Sequence, residues 1–369
     1  MVSKTYPTDE LNVWIDKTHF DHYQNVSLNL KVNYKKVIQP EKSNKIKWVL
    51  KLLSEMAMIS QVVYSANKNN AKAVFFSSLS PVGNLYLSLI IPLANNSIKF
   101  VIALHGELEL SKSNNWHKRI ENIYGKALRS SFNKPIKNRK FLILSRIIYN
   151  NILKLSLLKP FQMMFIEHPY IFTDIALEQL GLGNTSPIIF GHLGVAKFAK
   201  QSQLFFKLAE AMKEYVINGV VHFVVVGPIF EEIKPYVNEF VSYNETADFI
   251  SRDDYKVKAS SLNYSVFFYD EESYELTSSG ALMDAIAYEK PIIGLRIKLL
   301  ETLFDVHSCA PGYIFTDVEN LFNSMKRIIE EHDLNYANLV DCIKSKKALF
   351  STDAQFPSFK LQMEEFFVS

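Results

Sequence analysis

Residues 274–295 read YELTSSGALMDAIAYEKPIIGL. A small-residue turn, Ser278-Ser279-Gly280, opens an amphipathic helix expected over residues 281–288, and Lys290-Pro291 stops it just before an apolar strand expected over residues 291–295. The free N–H groups at such a helix start, together with the positive end of its dipole, favour an anion, and Gly280 lets that anion approach the backbone. Asp284, one turn further on, can accept hydrogen bonds from ribose hydroxyls. An ordinary strand–helix–strand unit with a serine N-cap explains the same residues. The neighbouring stretches weigh between the two.

Working outward, apolar runs alternate with helical patterns along most of the chain, which is the mark of parallel α/β layers. Residues 73–77 (AVFFS), 100–104 (FVIAL) and 141–144 (FLIL) read as buried strands in the first half. Residues 187–190 (PIIF), 221–226 (VHFVVV), 265–268 (SVFF) and 291–295 (PIIGL) do so in the second. Pro169 and the GLGNTSP segment ending at Pro187 interrupt regular structure between the halves. Two doubly wound domains are therefore expected, over residues 1–175 and 176–350, with the linker near residues 168–186. An aromatic tail, residues 351–369, is expected to form a helix that returns to the first domain.

A chain of 369 residues exceeds one ordinary core, in keeping with two domains. Its two cysteines, Cys309 and Cys342, suggest neither a disulfide framework nor a metal cluster, so a reducing cytoplasm is the expected compartment. The first residues lack the apolar core of a signal peptide, and no apolar run reaches the length of a membrane span. Charge is unevenly shared: residues 1–175 carry 24 Lys+Arg against 11 Asp+Glu, and the remainder 17 against 27. The basic half includes KVNYKK at residues 31–36 and KPIKNRK at residues 134–140. It suits an anionic membrane surface, or simply solvated helix faces; no nucleic-acid motif accompanies it.

Ligands of doubly wound domains bind beyond the carboxyl ends of the strands. After PIIF comes Gly191-His192-Leu193-Gly194-Val195-Ala196-Lys197-Phe198-Ala199-Lys200, a glycine-bearing turn with two lysines placed to reach a phosphate. Gly227-Pro228 follows VHFVVV, and residues 249–252, ending at Arg252, are placed to border a nucleobase. In the first half, FVIAL is followed by His105-Gly106-Glu107-Leu108-Glu109, whose histidine and acids are the best general-base candidates. The loop from Ser77 to Asn84 can border a ligand or merely cap a helix.

Taken in order, the segments beginning GHLGVAKFAK, HFVVVGP, FISRDDY, YELTSSGALMDAIAYEKPIIGL and GYIFTD resemble the nucleotide-sugar-binding half of GT-B glycosyltransferases, most closely the group-1 class of bacterial surface-polysaccharide assembly. The resemblance covers roughly residues 187–330. It implies a GT-B fold, two Rossmann-like domains facing across a cleft with a C-terminal helix packed back on the first. It also implies that Gly191, His192 and Lys197 or Lys200 neutralise a donor diphosphate. His192 stands where an arginine is usual, so donor binding is expected to be weaker or pH-sensitive. Ser278, Ser279 and Gly280 would hold the diphosphate, and Asp284 would take the place of a glutamate that contacts ribose. Retaining members place another glutamate eight positions earlier; here that position is Leu276, with Glu275 beside it as a contact for the sugar. His105, with Glu107, is the expected catalytic pair.

The function these features imply is metal-independent transfer of a sugar from a nucleotide-diphosphate sugar, a co-substrate, to a lipid-linked saccharide. No cofactor and no nucleic-acid partner are expected, and the basic domain would sit on the inner face of the cytoplasmic membrane. A sugar-nucleotide epimerase and a non-catalytic nucleotide-sugar-binding partner of another transferase are the alternatives.

Overall fold

A computed structural model of the chain describes residues 11–16, 32–37, 45–113, 119–170, 172, 187–244, 250–304 and 309–368. The chain divides into two compact units, residues 1–168 with 355–369, and residues 169–354. No helix among the described residues is long and apolar enough to cross a membrane.

The first unit is built on a four-stranded parallel sheet, β3 (Ala73–Phe76), β4 (Lys99–Leu104), β5 (Arg139–Leu144) and β6 (Met163–Ile166), in that spatial order. Phe100, Val101 and Ile102 of β4 are all buried, as expected of a central parallel strand covered on both faces. A separate parallel pair, β1 (Leu11–Asp16) with β2 (Val32–Val37), precedes it. The C-terminal helix Thr352–Val368 places Phe359, Met363 and Phe366 on one stripe, and these pack against Val101, Leu142, Leu144, Met164 and Ile166. The tail thus returns to the first unit because its apolar stripe completes that unit's core; burial of each such side chain stabilises by about 1.5–3 kcal/mol. The ammonium groups of Lys99 and Lys140 lie 4.9 and 5.1 Å from the centre of the Phe366 ring. Part of the basic excess in this half therefore serves the fold.

The second unit holds a six-stranded parallel sheet. Its strands are β7 (Ile188–Leu193), β8 (Val221–Val226), β9 (Val241–Ser242), β10 (Tyr264–Phe267), β11 (Ile292–Leu295) and β12 (Gly312–Phe315), ordered β12-β11-β10-β7-β8-β9. Phe190 stacks between Phe223 and Tyr264, each ring pair 5.3 Å apart, at the centre of the core. The chain runs outward from β7 through β8 to β9, then returns to lay β10 on the other side of β7. That reversal makes a topological switch point between β7 and β10, the place where an open parallel sheet leaves a crevice at its carboxyl edge.

One expectation from composition is corrected. Cys309, just before β12, and Cys342, on the helix His332–Lys347, form a disulfide with their Cα atoms 5.8 Å apart. The fold closes 33 residues of separation that the sequence alone leaves open. Unpaired cysteines are therefore no longer a reason to place the chain in a reducing compartment.

Candidate active site

Three loops converge at the switch point. Beyond β7 the chain turns at Gly194, whose φ of +77° is in the left-handed region; its N–H donates to Val226 O at 2.8 Å, and Ala196 N–H donates to Pro228 O at 2.9 Å. Gly227, with φ of +147°, lies so close that a Cβ there would sit 2.5 Å from the Gly194 carbonyl oxygen. The β7 and β8 loops are thus held together through two glycines.

β7 runs to Leu193, three residues beyond the strand end expected from sequence, and this changes the standing of two residues. Gly191 lies inside the sheet, where a Cβ would meet Leu262 Cδ1 at 2.1 Å, so its missing side chain serves packing. His192 is only 4% exposed, and its Nε2 hydrogen-bonds the Ser202 hydroxyl at 2.8 Å. Burial, with the nearby Lys200 charge second, pulls its pKa down to about 3. A neutral imidazole across the physiological range is not the source of the pH sensitivity expected of it. Its visible task is to hold Ser202, which also accepts the Lys197 N–H at 2.9 Å.

Lys197 is half-buried, and the chain then folds through a short 3₁₀ turn, Phe198–Lys200. That turn brings the Lys200 ammonium back over the strand end, where it donates to Leu193 O at 3.1 Å. A Cβ on Gly194 would lie 2.9 Å from this nitrogen and 3.8 Å from Ala281 Cβ, so the ammonium stands beside the first turn of the next helix. Burial and repulsion from Lys197 lower the Lys200 pKa to about 8, while Asp284 acts in the opposite direction.

That helix is Gly280–Ala287. The Ser279 hydroxyl accepts the Leu282 N–H at 3.1 Å and is itself hydrogen-bonded to the Tyr269 hydroxyl at 2.9 Å. Tyr269 in turn stacks on Tyr274, with centroids 3.9 Å apart. The Ser279 side chain is therefore committed to anchoring the helix, which leaves backbone N–H groups for a ligand. Gly280 is exposed, and no atom lies within 4 Å of a Cβ built on it. Ser278 and Glu275 are half-buried on the approach, whereas Leu276 is fully buried and faces the core.

Asp284 has both carboxylate oxygens occupied: Tyr170 donates to Oδ1 at 2.6 Å and Tyr255 to Oδ2 at 2.7 Å. Arg252 opens the helix Arg252–Ser261, and its charge is felt by Tyr170 and Tyr288. Phe249, the other expected neighbour of a base, lies outside the described residues, as do residues 173–186 of the expected linker. Lys200, the open helix start at Gly280 and Asp284 are thus brought together. Tyr170, Tyr255, Tyr269 and Tyr274 complete the setting; Tyr255 ends the FISRDDY segment and Tyr274 opens YELTSSG, but the sequence alone gave a role to none of the four.

In the first unit, His105 follows β4. Its Nε2 lies 2.7 Å from Ser77 O, and because a carbonyl only accepts, Nε2 carries a proton, which in the neutral ring leaves the lone pair on Nδ1. Glu107 accepts the His105 backbone N–H at 3.0 Å; burial raises its pKa, against the pull of that hydrogen bond and of the imidazole. Glu107 is therefore tied to the backbone of its own loop. The Ser77–Asn84 loop is also occupied. Glu55 accepts the Ser80 N–H at 2.7 Å and the Ser80 hydroxyl at 2.5 Å, so a carboxylate of the protein already stands at the start of the helix Pro81–Ile90. A Cβ at Gly83 would lie 2.8 Å from Glu55 Cδ, which closes that glycine to a ligand.

Two parallel-sheet Rossmann-like units, a switch-point site in the second and a C-terminal helix returning to the first define the GT-B glycosyltransferase fold. Solved structures share it. TarM of S. aureus aligns with a TM-score of 0.60 at 12% identity, over 86% of this chain but only 58% of TarM. HepE of Anabaena, in complex with UDP and glucose, aligns at 0.60 and 13% identity over 96% of this chain and 91% of its own. The lipopolysaccharide outer core galactosyltransferase WaaB aligns at 0.57 and 11% identity, over 97% of this chain and 99% of its own. At such identities the likeness is one of fold. No family model matches the chain, and no curated protein matches it in sequence.

Proposed function

We propose that this protein is a glycosyltransferase that moves a sugar from a nucleotide-diphosphate donor to a hydroxyl of a lipid-linked saccharide in surface-polysaccharide assembly, at the inner face of the cytoplasmic membrane. The observation that supports it most is the convergence, at one switch point, of a part-buried ammonium at Lys200, an open helix start at Gly280 and a carboxylate at Asp284. The first two suit a diphosphate and the third a ribose.

In this reading the Lys200 ammonium and the helix N–H groups stabilise the negative charge that grows on the departing nucleoside diphosphate, which is the largest demand of the reaction. Lys197 adds a second cation at the rim. These groups supply the charge compensation for a metal-independent transfer. His105, with its lone pair on Nδ1, is assigned as the base that takes the proton of the acceptor hydroxyl, and Glu107 as the group that holds its loop. The basic excess of residues 1–175 favours an acceptor carried on an anionic membrane.

The test is thermal unfolding of the purified protein with UDP, GDP, CMP and dTDP sugars. UDP comes first, because HepE is solved with UDP and with UDP-glucose. A ligand present at 100 times its Kd stabilises by about 2.7 kcal/mol, an easily read shift. Absence of any shift across the panel at millimolar concentration sinks the reading. Leu276, apolar and buried where a carboxylate is expected, supports one second reading, a non-catalytic nucleotide-sugar-binding partner. Donor binding without transfer to any lipid-linked acceptor is its signature.

A further inference from the structure

We infer that Tyr170 and Tyr255 are positioning residues that aim Asp284 at the ribose, so that the two phenols set the protein's preference for ribonucleotides over 2′-deoxyribonucleotides. The inference rests on the nucleotide-sugar reading above and names how that site recognises its nucleoside.

An aspartate side chain has two rotatable bonds and a carboxylate with about four lone-pair sites. Here each oxygen accepts one phenol hydroxyl, Tyr170 at 2.6 Å and Tyr255 at 2.7 Å, so the carboxylate is held in one orientation with two lone-pair directions left over. Two remaining acceptors on one carboxylate match the two vicinal hydroxyls of a ribose. Both phenols are themselves fixed from outside. Tyr170 donates its backbone N–H to Phe350 O at 2.8 Å and is bridged to Ser351, while Tyr255 stands on the Arg252–Ser261 helix, whose start Ser251 caps. Burial, reinforced by the Asp284 charge, raises the ionisation of both phenols well above the ordinary range, so both remain donors at any working pH. The cluster lies on the same helix as the Gly280 start, one turn further in, and its charge acts on Lys200. Phosphate and ribose sites are therefore one turn of helix apart, about 5–6 Å, which is the reach of a nucleotide from its phosphate to its sugar. A carboxylate held by two donors loses no side-chain freedom on binding, and a preorganised acceptor discriminates strongly against an analogue that lacks its hydroxyl.

The experiment is calorimetric titration of the wild type, Tyr170→Phe, Tyr255→Phe and Asp284→Asn with UDP and dUDP, with GDP and dGDP in parallel. Circular dichroism confirms that each variant is folded. The wild type is expected to prefer the ribo form by about 10-fold or more. Each Phe variant should cut that ratio at least about threefold while binding the deoxy form within about twofold of wild type, and Asp284→Asn should nearly abolish the ratio. A parallel loss of affinity for both forms in the Phe variants would indicate a merely structural role and overturn the inference. An unchanged ratio overturns it equally. A wild type that binds ribo and deoxy forms alike removes Asp284 from the ribose while leaving nucleotide binding intact; a wild type that binds none of the four nucleotides overturns the proposed function itself.

Discussion

Replacing Gly227 by alanine tests whether the joined β7 and β8 loops set the geometry of the donor site. Two costs arise at this position. A φ of +147° is glycine territory, and an alanine held there costs about 1–3 kcal/mol. The new Cβ would also lie 2.5 Å from the Gly194 carbonyl oxygen and 2.6 Å from its carbon, against the 3.4 Å of ordinary contact. The obstacle is backbone, so Gly194 must move by about 0.9 Å, the difference between those separations. Gly194 follows Leu193, whose carbonyl receives the Lys200 ammonium, and it lines the space beside that nitrogen. The displacement therefore reaches the cation expected to meet the diphosphate. Loss of one hydrogen bond to a charged group is worth about 1.5–3 kcal/mol, or about 10- to 100-fold in nucleotide Kd.

Gly219→Ala is the control. Its φ is also positive, at +68°, but no atom lies within 4 Å of the added Cβ. It should lose about 1 kcal/mol of stability from backbone strain alone and bind nucleotide normally. Calorimetric titration with UDP, or with whichever nucleotide the thermal panel selects, and urea unfolding followed by circular dichroism give the two readouts for each variant. The reasoning fails if Gly227→Ala binds as the wild type does. It fails too if Gly219→Ala weakens binding as much, because the effect would then be general destabilisation.

Three further outcomes are expected. Lys200, with its pKa lowered to about 8, should lose its charge as pH rises through that value, so nucleotide affinity should be flat below about pH 8 and fall above it, and Lys200→Met should remove that alkaline limb. The sign for stability is opposite: the free protein binds this proton less tightly than the unfolded chain, so stability should rise between about pH 8 and 10.5. Reduction of the Cys309–Cys342 disulfide, which spans 33 positions, should cost about 3.7 kcal/mol by loop entropy; thiol counting before and after reductant, with urea unfolding of each form, checks this, and equal midpoints would refute it. His105→Ala should abolish transfer and leave donor affinity within about twofold of wild type, as expected of a base that acts only in the reaction; an active variant removes it from the mechanism.

The strands of both sheets were legible where a run of apolar residues had to be buried on two faces, as at β4 and β8. β9 is two residues long, too short for any periodicity to mark, and exists because β8 offers it a partner. The site was legible at Gly280 and Lys200 because helix starts and strand-end loops advertise themselves locally. Its tyrosines did not, since the bonds from Tyr170 and Tyr255 to Asp284 cross 114 and 29 positions of chain. The Glu55 cap on Ser80 crosses 25 in the same way. The instructive error is β7. Ending the strand at Phe190 puts Gly191 and His192 in a loop, where a glycine and a basic residue look like a phosphate grip. Extending it to Leu193 sends both into the packed sheet and makes Gly194 the turning residue. From that origin Lys197 is four residues out and Lys200 seven, and only the second returns its ammonium to the strand's last carbonyl. The place of the Lys200 ammonium above the sheet is thus set by where a strand stops, because the 3₁₀ turn at Phe198–Lys200 and the left-handed Gln201 fold the chain back from that point.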